Sequence, residues 1–209
     1  MIAKVKICGL TQSQDVEAAI RYGADYLGFI VEAKSARRLN VREAARLSLP
    51  AKGIIPRVAV TVNAGAALIS NIVSQMQPDF IQFHGDETPQ HVAEVGRDHN
   101  VGIIKAVSLS SQTDILAALD YVGFADFILF DAKGPKGGAR GGHGVSFDWK
   151  LLKNAALPQN WFLAGGLNPD NVTKALRLTA APILDVSSGV ENKPGIKSAD
   201  KIAKFMKCL

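Results

Sequence analysis

The stretch "AKVKICGLTQSQDVEAAIRYGADYLGFI" (residues 3–30) decides the fold. It opens with a short apolar run ending at Cys8, passes through residues 12–22 at helical spacing, and returns to a second β-rich run, "DYLGFI" (25–30). Parallel neighbours need a crossover of a dozen or more residues between them, so strand, helix and strand in this order form the smallest unit of a parallel sheet.

The same rhythm continues to the C-terminus. Further β-rich runs are "RVAVTV" (57–62), "DFIQFH" (79–84), "GIIKAV" (102–107), "DFILFD" (126–131), "WFLA" (161–164) and "ILDVS" (183–187), which brings the count to eight. Helix-compatible segments cover 12–22, 41–49, 66–76, 88–98, 112–121, 148–154, 170–178 and 198–207. Thr11, Asn40, Thr88 and Asn168 before Pro169 supply N-cap signals. Eight strands each followed by a helix predict one domain spanning 1–209, an α/β single-domain (β/α)8 TIM barrel. A doubly wound sheet would be built from fewer units.

Composition narrows the function classes. Apolar residues make up 47% of the 209 positions, enough for a large core, and no run approaches the length of a membrane span. The N-terminus lacks the pattern of a signal peptide, so a cytoplasmic protein with no membrane partner is expected. Cys8 and Cys208 are too few for a disulfide framework, and both should be free thiols. The net charge of +5 comes from scattered basic residues with only 7% aromatics, which argues against nucleic acid and suits a small anionic substrate. A monomer is expected, with a dimer as the alternative.

In this fold the C-terminal strand ends and the loops behind them build the site. Those positions carry Cys8, Asn63, His84, Asp131, Gly165 with Gly166, and Asp185 with Ser187, Ser188 and Gly189; Arg37 lies in the loop after the second strand. A lone cysteine is more often buried core than catalyst. Asp131 could simply cap its loop, and His84 could be structural. Their shared rim changes that balance.

"AGGLNPDNV" (164–172) and "DVSSGVE" (185–191) bring glycines, hydroxyls and a helix start to one spot, the usual phosphate cradle of such barrels. A phosphorylated small molecule is therefore the expected partner. Strands one and six lie three places apart through the ring closure, so Cys8 and Asp131 face each other, an arrangement suited to paired base and acid. No His or Cys pair stands at ligand spacing, so no metal is expected, and no Gly-x-Gly-x-x-Gly follows the first strand. The segment "AKGPKGGARGGHGVSF" (132–147), with six glycines, reads as an active-site lid.

Together "KICGLT", "GADYLGFI", "SARRL", "VAVTVN", "IQFHGDE", "GGHGVSFDW", "AGGLNPDNV" and "DVSSGVE" resemble the phosphoribosylanthranilate isomerases of tryptophan biosynthesis over nearly the whole chain. The resemblance implies a cofactor-independent Amadori rearrangement of N-(5-phosphoribosyl)anthranilate to 1-(2-carboxyphenylamino)-1-deoxyribulose 5-phosphate. It implies that Asp131 is the general acid, that Cys8 is the general base, and that Arg37 pairs with the anthranilate carboxylate. The phosphate would be held by Gly165, Gly166, Ser188 and Gly189 with Gly142 and Gly144 of the lid, and His84 and Asp185 would orient the site. Ala36 replaces the usual proline before the arginine, and Thr61 and Phe83 also depart from the pattern, on the anthranilate side. The alternatives are a histidine-pathway sugar-phosphate isomerase, for which a second phosphate turn in "TVNAGAA" (61–67) is weak, and an FMN-binding module.

Overall fold

The floor of the molecule is set by three aspartate–aromatic pairs, Asp25-Tyr26, Asp79-Phe80 and Asp126-Phe127. The computed structural model describes residues 3–132, 149–153 and 155–209. Its eight long strands are β1 Lys4–Cys8, β2 Tyr26–Val31, β3 Arg57–Thr61, β4 Phe80–Phe83, β5 Gly102–Leu109, β6 Phe127–Ala132, β7 Trp161–Ala164 and β8 Ile183–Val186. All neighbours run parallel, and β1 pairs both with β2 (Cys8 opposite Gly28) and with β8 (Lys6 opposite Asp185), which closes the barrel.

Each strand of this set begins one residue after its aspartate, and the aspartate acts as a clasp. The Asp25 N–H donates to the Val5 carbonyl (2.8 Å) while its carboxylate accepts the Val5 N–H (2.8 Å). Asp79 makes the same exchange with Arg57, and Asp126 with Ile103. One residue thus satisfies both main-chain groups of a neighbouring strand at the rim, where unpaired backbone would otherwise be left. The following aromatic turns inward: Tyr26 and Phe127 meet Phe162 edge-to-face, Phe80 packs the same way on Tyr26 and Phe127, and the four rings, with centroids of the contacting pairs 5.3 to 6.4 Å apart, plug the barrel from below.

Outside the ring, the alternate strand residues pack on the helices α1 Ser13–Arg21, α2 Val41–Ser48, α3 Ala66–Met76, α4 Pro89–His99, α5 Gln112–Leu119, α6 Val172–Thr179 and α7 Ala199–Lys207. Asn40 and Thr88 cap as expected, Asn40 in a reciprocal capping box with Glu43. Thr11 does not cap: α1 starts from Gln12, and the Thr11 hydroxyl instead donates to the Gly195 carbonyl. Asn168 does not open α6, which starts three residues later than the sequence suggests, from Asn171; Asn168 accepts the Asp170 N–H in a turn of its own. The expected helix over 148–154 is a single 3-10 turn, Trp149–Leu152. Ala132 still belongs to β6, and the rest of the expected lid, residues 133–147 with Gly142 and Gly144, lies outside the described residues.

Two small additions shape the mouth. Arg38–Leu39 extends the sheet beside the end of β2, and an antiparallel hairpin, Glu191–Lys193 with Ile196–Lys197, follows β8. Below the mouth, the buried Arg57 guanidinium donates to the carbonyls of Met76 (2.9 Å) and Gln77 at the end of α3 and lies 3.4 Å from Asp79. Replacing it with alanine leaves those carbonyls and a cavity without partners. Arg57→Ala should destabilise the fold by about 2–4 kcal/mol, read as a lower denaturation midpoint in urea.

Candidate active site

Cys8 ends β1 with its side chain pointing into the barrel, 6% exposed. Its neighbour in register, Gly28, is what makes room: a Cβ there would stand 2.8 Å from the Cys8 sulfur and 3.2 Å from Cε of Lys6. Lys6, two residues earlier on the same strand, faces the same interior and is fully buried. Burial pushes the Cys8 thiol up, Lys6 and Lys197 pull it down, and Asp185 adds to the rise.

From Lys6 a chain of hydrogen bonds crosses the barrel. The ammonium donates to Asp185 Oδ1 (2.9 Å) on β8 and to Gln82 Oε1 (2.8 Å) on β4. Because Lys6 has only donors to offer, it requires the oxygen of the Gln82 amide, and the amide nitrogen is left facing His84 Nδ1 at 3.3 Å. Nδ1 therefore accepts, and the proton sits on Nε2, which points at Asp131 Oδ2 across 3.3 Å. Asp131, near the end of β6, reaches the mouth opposite Cys8 with its Oδ2 engaged by His84.

Arg37 lies across Gly9, whose φ of +75° and lack of a side chain let the arginine stem pass; a Cβ would meet Cδ at 2.5 Å. Its guanidinium grips Glu191 twice, Nε to Oε1 and Nη2 to Oε2, each at 2.7 Å. Glu191 is held in turn by the buried Lys197 (2.8 Å). Burial alone would raise the Glu191 carboxyl, but these two cations bring it below its ordinary range, while burial lowers Lys197. The remaining Nη1 edge of Arg37 is the one a flat carboxylate can dock on.

On the β7–β8 side, Gly165 (φ +96°) and Gly166 (φ +67°) carry the chain through a turn open only to glycine. The Gly166 carbonyl accepts the Asn171 amide (2.9 Å), which also takes the Asn168 N–H, so the loop is braced from outside. The loop after β8 sits so close behind it that a Cβ on Gly189 would fall 1.9 Å from the Leu167 carbonyl. Ser188 opens a short 3-10 turn there.

The result is a cavity of about 270 Å³ over the barrel mouth, and Cys8, Arg37, His84, Asp131 and Asp185 all open into it. Gly165, Gly166 and Ser188 line one side, and Gly189 stands behind that wall. Among the described residues no group of three His, Cys, Asp or Glu side chains could hold a metal, and no helix is long and apolar enough to cross a membrane. Cys8 and Cys208 are unbridged. Lys6, Gln82, Glu191 and Lys197 were not singled out by the sequence. The signal for Lys6 and Gln82 was a charged and an amide side chain at inward positions of otherwise apolar strands.

The described geometry can be set beside known proteins. The family model described as N-(5'phosphoribosyl)anthranilate (PRA) isomerase matches residues 5–208. The N-(5'-phosphoribosyl)anthranilate isomerase of Parvibaculum lavamentivorans is 42% identical over 99% of this chain and 98% of its own length. The crystal structure of phosphoribosyl anthranilate isomerase from Thermotoga maritima superposes with a TM-score of 0.89 at 36% identity, covering 99% of this chain and 98% of that one. A second solved structure of such an isomerase, in complex with reduced 1-(o-carboxyphenylamino)-1-deoxyribulose 5-phosphate, gives a TM-score of 0.85 at 33% identity, covering 99% of this chain and 97% of that one.

Proposed function

Because the chain belongs to the N-(5'-phosphoribosyl)anthranilate isomerase family, we propose that Cys8 and Asp131 are the base and the acid of that isomerisation here. The chain is an aldose-ketose isomerase of tryptophan biosynthesis, acting on N-(5-phosphoribosyl)anthranilate. The observation that carries the residue assignment is that a thiol on β1 and a carboxyl on β6 open from opposite sides into one cavity, with the glycine loops of β7 and β8 between them.

Asp131 gives its proton to the furanose ring oxygen, the C1–O bond breaks, and the nitrogen lone pair forms an iminium at C1. The Cys8 thiolate then removes the proton from C2. The C–H electron pair becomes the C1–C2 double bond, and the iminium π pair returns to nitrogen, leaving an enolamine. That enolamine loses its hydroxyl proton and gains one at C1, so the product is a ketone at C2. His84, donating from Nε2, holds one Asp131 oxygen and leaves the other to carry the transferred proton. The braced turn at Gly165–Gly166 and Ser188 takes the phosphate, and the Nη1 edge of Arg37 takes the anthranilate carboxylate.

The carboxylate contact exists in both the ground state and the transition state. Arg37→Ala should therefore raise KM by about 10-fold or more while kcat changes less, followed by the loss of substrate fluorescence on turnover. A variant with unchanged KM, or a wild-type chain that leaves the substrate intact, sinks the reading.

A further inference from the structure

The buried lysine beneath the thiol joins both halves of the site. We infer that Lys6 is a positioning residue for both members of the acid–base pair: anchored by Asp185 and Gln82, its ammonium is the counter-charge of ionised Cys8, and through the Gln82 amide it fixes which nitrogen of His84 faces Asp131. This rests on Cys8 being the base.

The surroundings of Cys8 support the first half. It is faced by Lys6 from its own strand, by Asp185 from β8, and by Lys197 from the hairpin after β8; Arg37, from the loop after β2, is also within reach of its charge. Glu191 is taken up by Arg37 and Lys197. Three cations and two carboxylates thus leave one positive charge over, and an ionised thiol balances the set. Lys6 is the cation of that set on the same interior face as the sulfur, with Cε and Sγ flanking the one space that Gly28 leaves vacant. An uncompensated buried ammonium is expensive, so the position demands its partners. The second half follows from donor chemistry: remove Lys6 and either end of the Gln82 amide can face His84, so the imidazole proton is no longer fixed on Nε2.

The test uses the full chain carrying Cys208→Ser, so that Cys8 is the only thiol, with thiolate formation followed by ultraviolet absorbance against pH. Lys6→Met, close in length and uncharged, should move the Cys8 midpoint up by roughly one pH unit or more. The rising limb of kcat/KM should move with it. Asp185→Asn removes the opposing negative charge and should move the midpoint down. A purely structural role for Lys6 predicts altered stability and no displacement in Lys6→Met. An unmoved midpoint in folded Lys6→Met overturns the inference; if that variant does not fold, Lys6→Gln is read by the same criterion. Midpoints that move while the rate profile stays still would uphold Lys6 as counter-charge and remove Cys8 as the base.

Discussion

Asp131→Asn should lower kcat by about 10²–10⁴-fold while the variant still binds a product-like phosphorylated ligand within a few-fold of the wild type. Asparagine fills the same space, and its oxygen can still accept from His84 Nε2, so the wall of the cavity is preserved. What it cannot do is give up a proton to the ring oxygen at neutral pH. The side chain should contribute little to ground-state affinity, because the proposed phosphate and carboxylate anchors lie in the loops after other strands. Calorimetric binding beside steady-state turnover separates the two effects, and full turnover in Asp131→Asn removes this residue as the acid.

The second large effect concerns the thiol. Cys8→Ser keeps the size of the side chain over Gly28, but a hydroxyl ionises far less readily than a thiol, so loss of turnover of about 10²–10⁴-fold is expected. The pH profile carries more information than the rate alone. With Cys8 as the proposed base, activity needs the thiolate, so kcat/KM of the wild type should climb with pH. Burial displaces that climb above the range of a free cysteine, with Lys6 and Lys197 limiting the displacement. The serine variant should lack this limb altogether. A serine variant with the same limb would assign it to another group.

Much of this was legible in the sequence because it depends on local pattern. Eight β-branched or aromatic runs at regular spacing give the barrel, and the rim rule then picks out Cys8, His84, Asp131 and Asp185. Boundaries failed where tertiary contacts outbid local signals. Thr11 carries a cap hydroxyl but spends it on Gly195, which is distant in sequence, and Asn168 closes a turn onto Asp170 before α6 can begin. The polar interior was invisible for a different reason. A lysine and a glutamine inside apolar strands read as noise until the ring closes and brings Lys6, Gln82 and Asp185 within hydrogen-bonding distance. Glu191 and Lys197 meet only because the segment after β8 folds back as a hairpin.

The aspartate clasps at the floor have a consequence for how such a molecule can change. Rigidity is invested at the end where no bond is made or broken: three carboxylates fasten β1 to β2, β3 to β4 and β5 to β6, and four rings cork the cylinder. Descendants can therefore redraw the loops around the opposite opening, and with them the choice of substrate, without having to rediscover how the staves of the cask are hooped together.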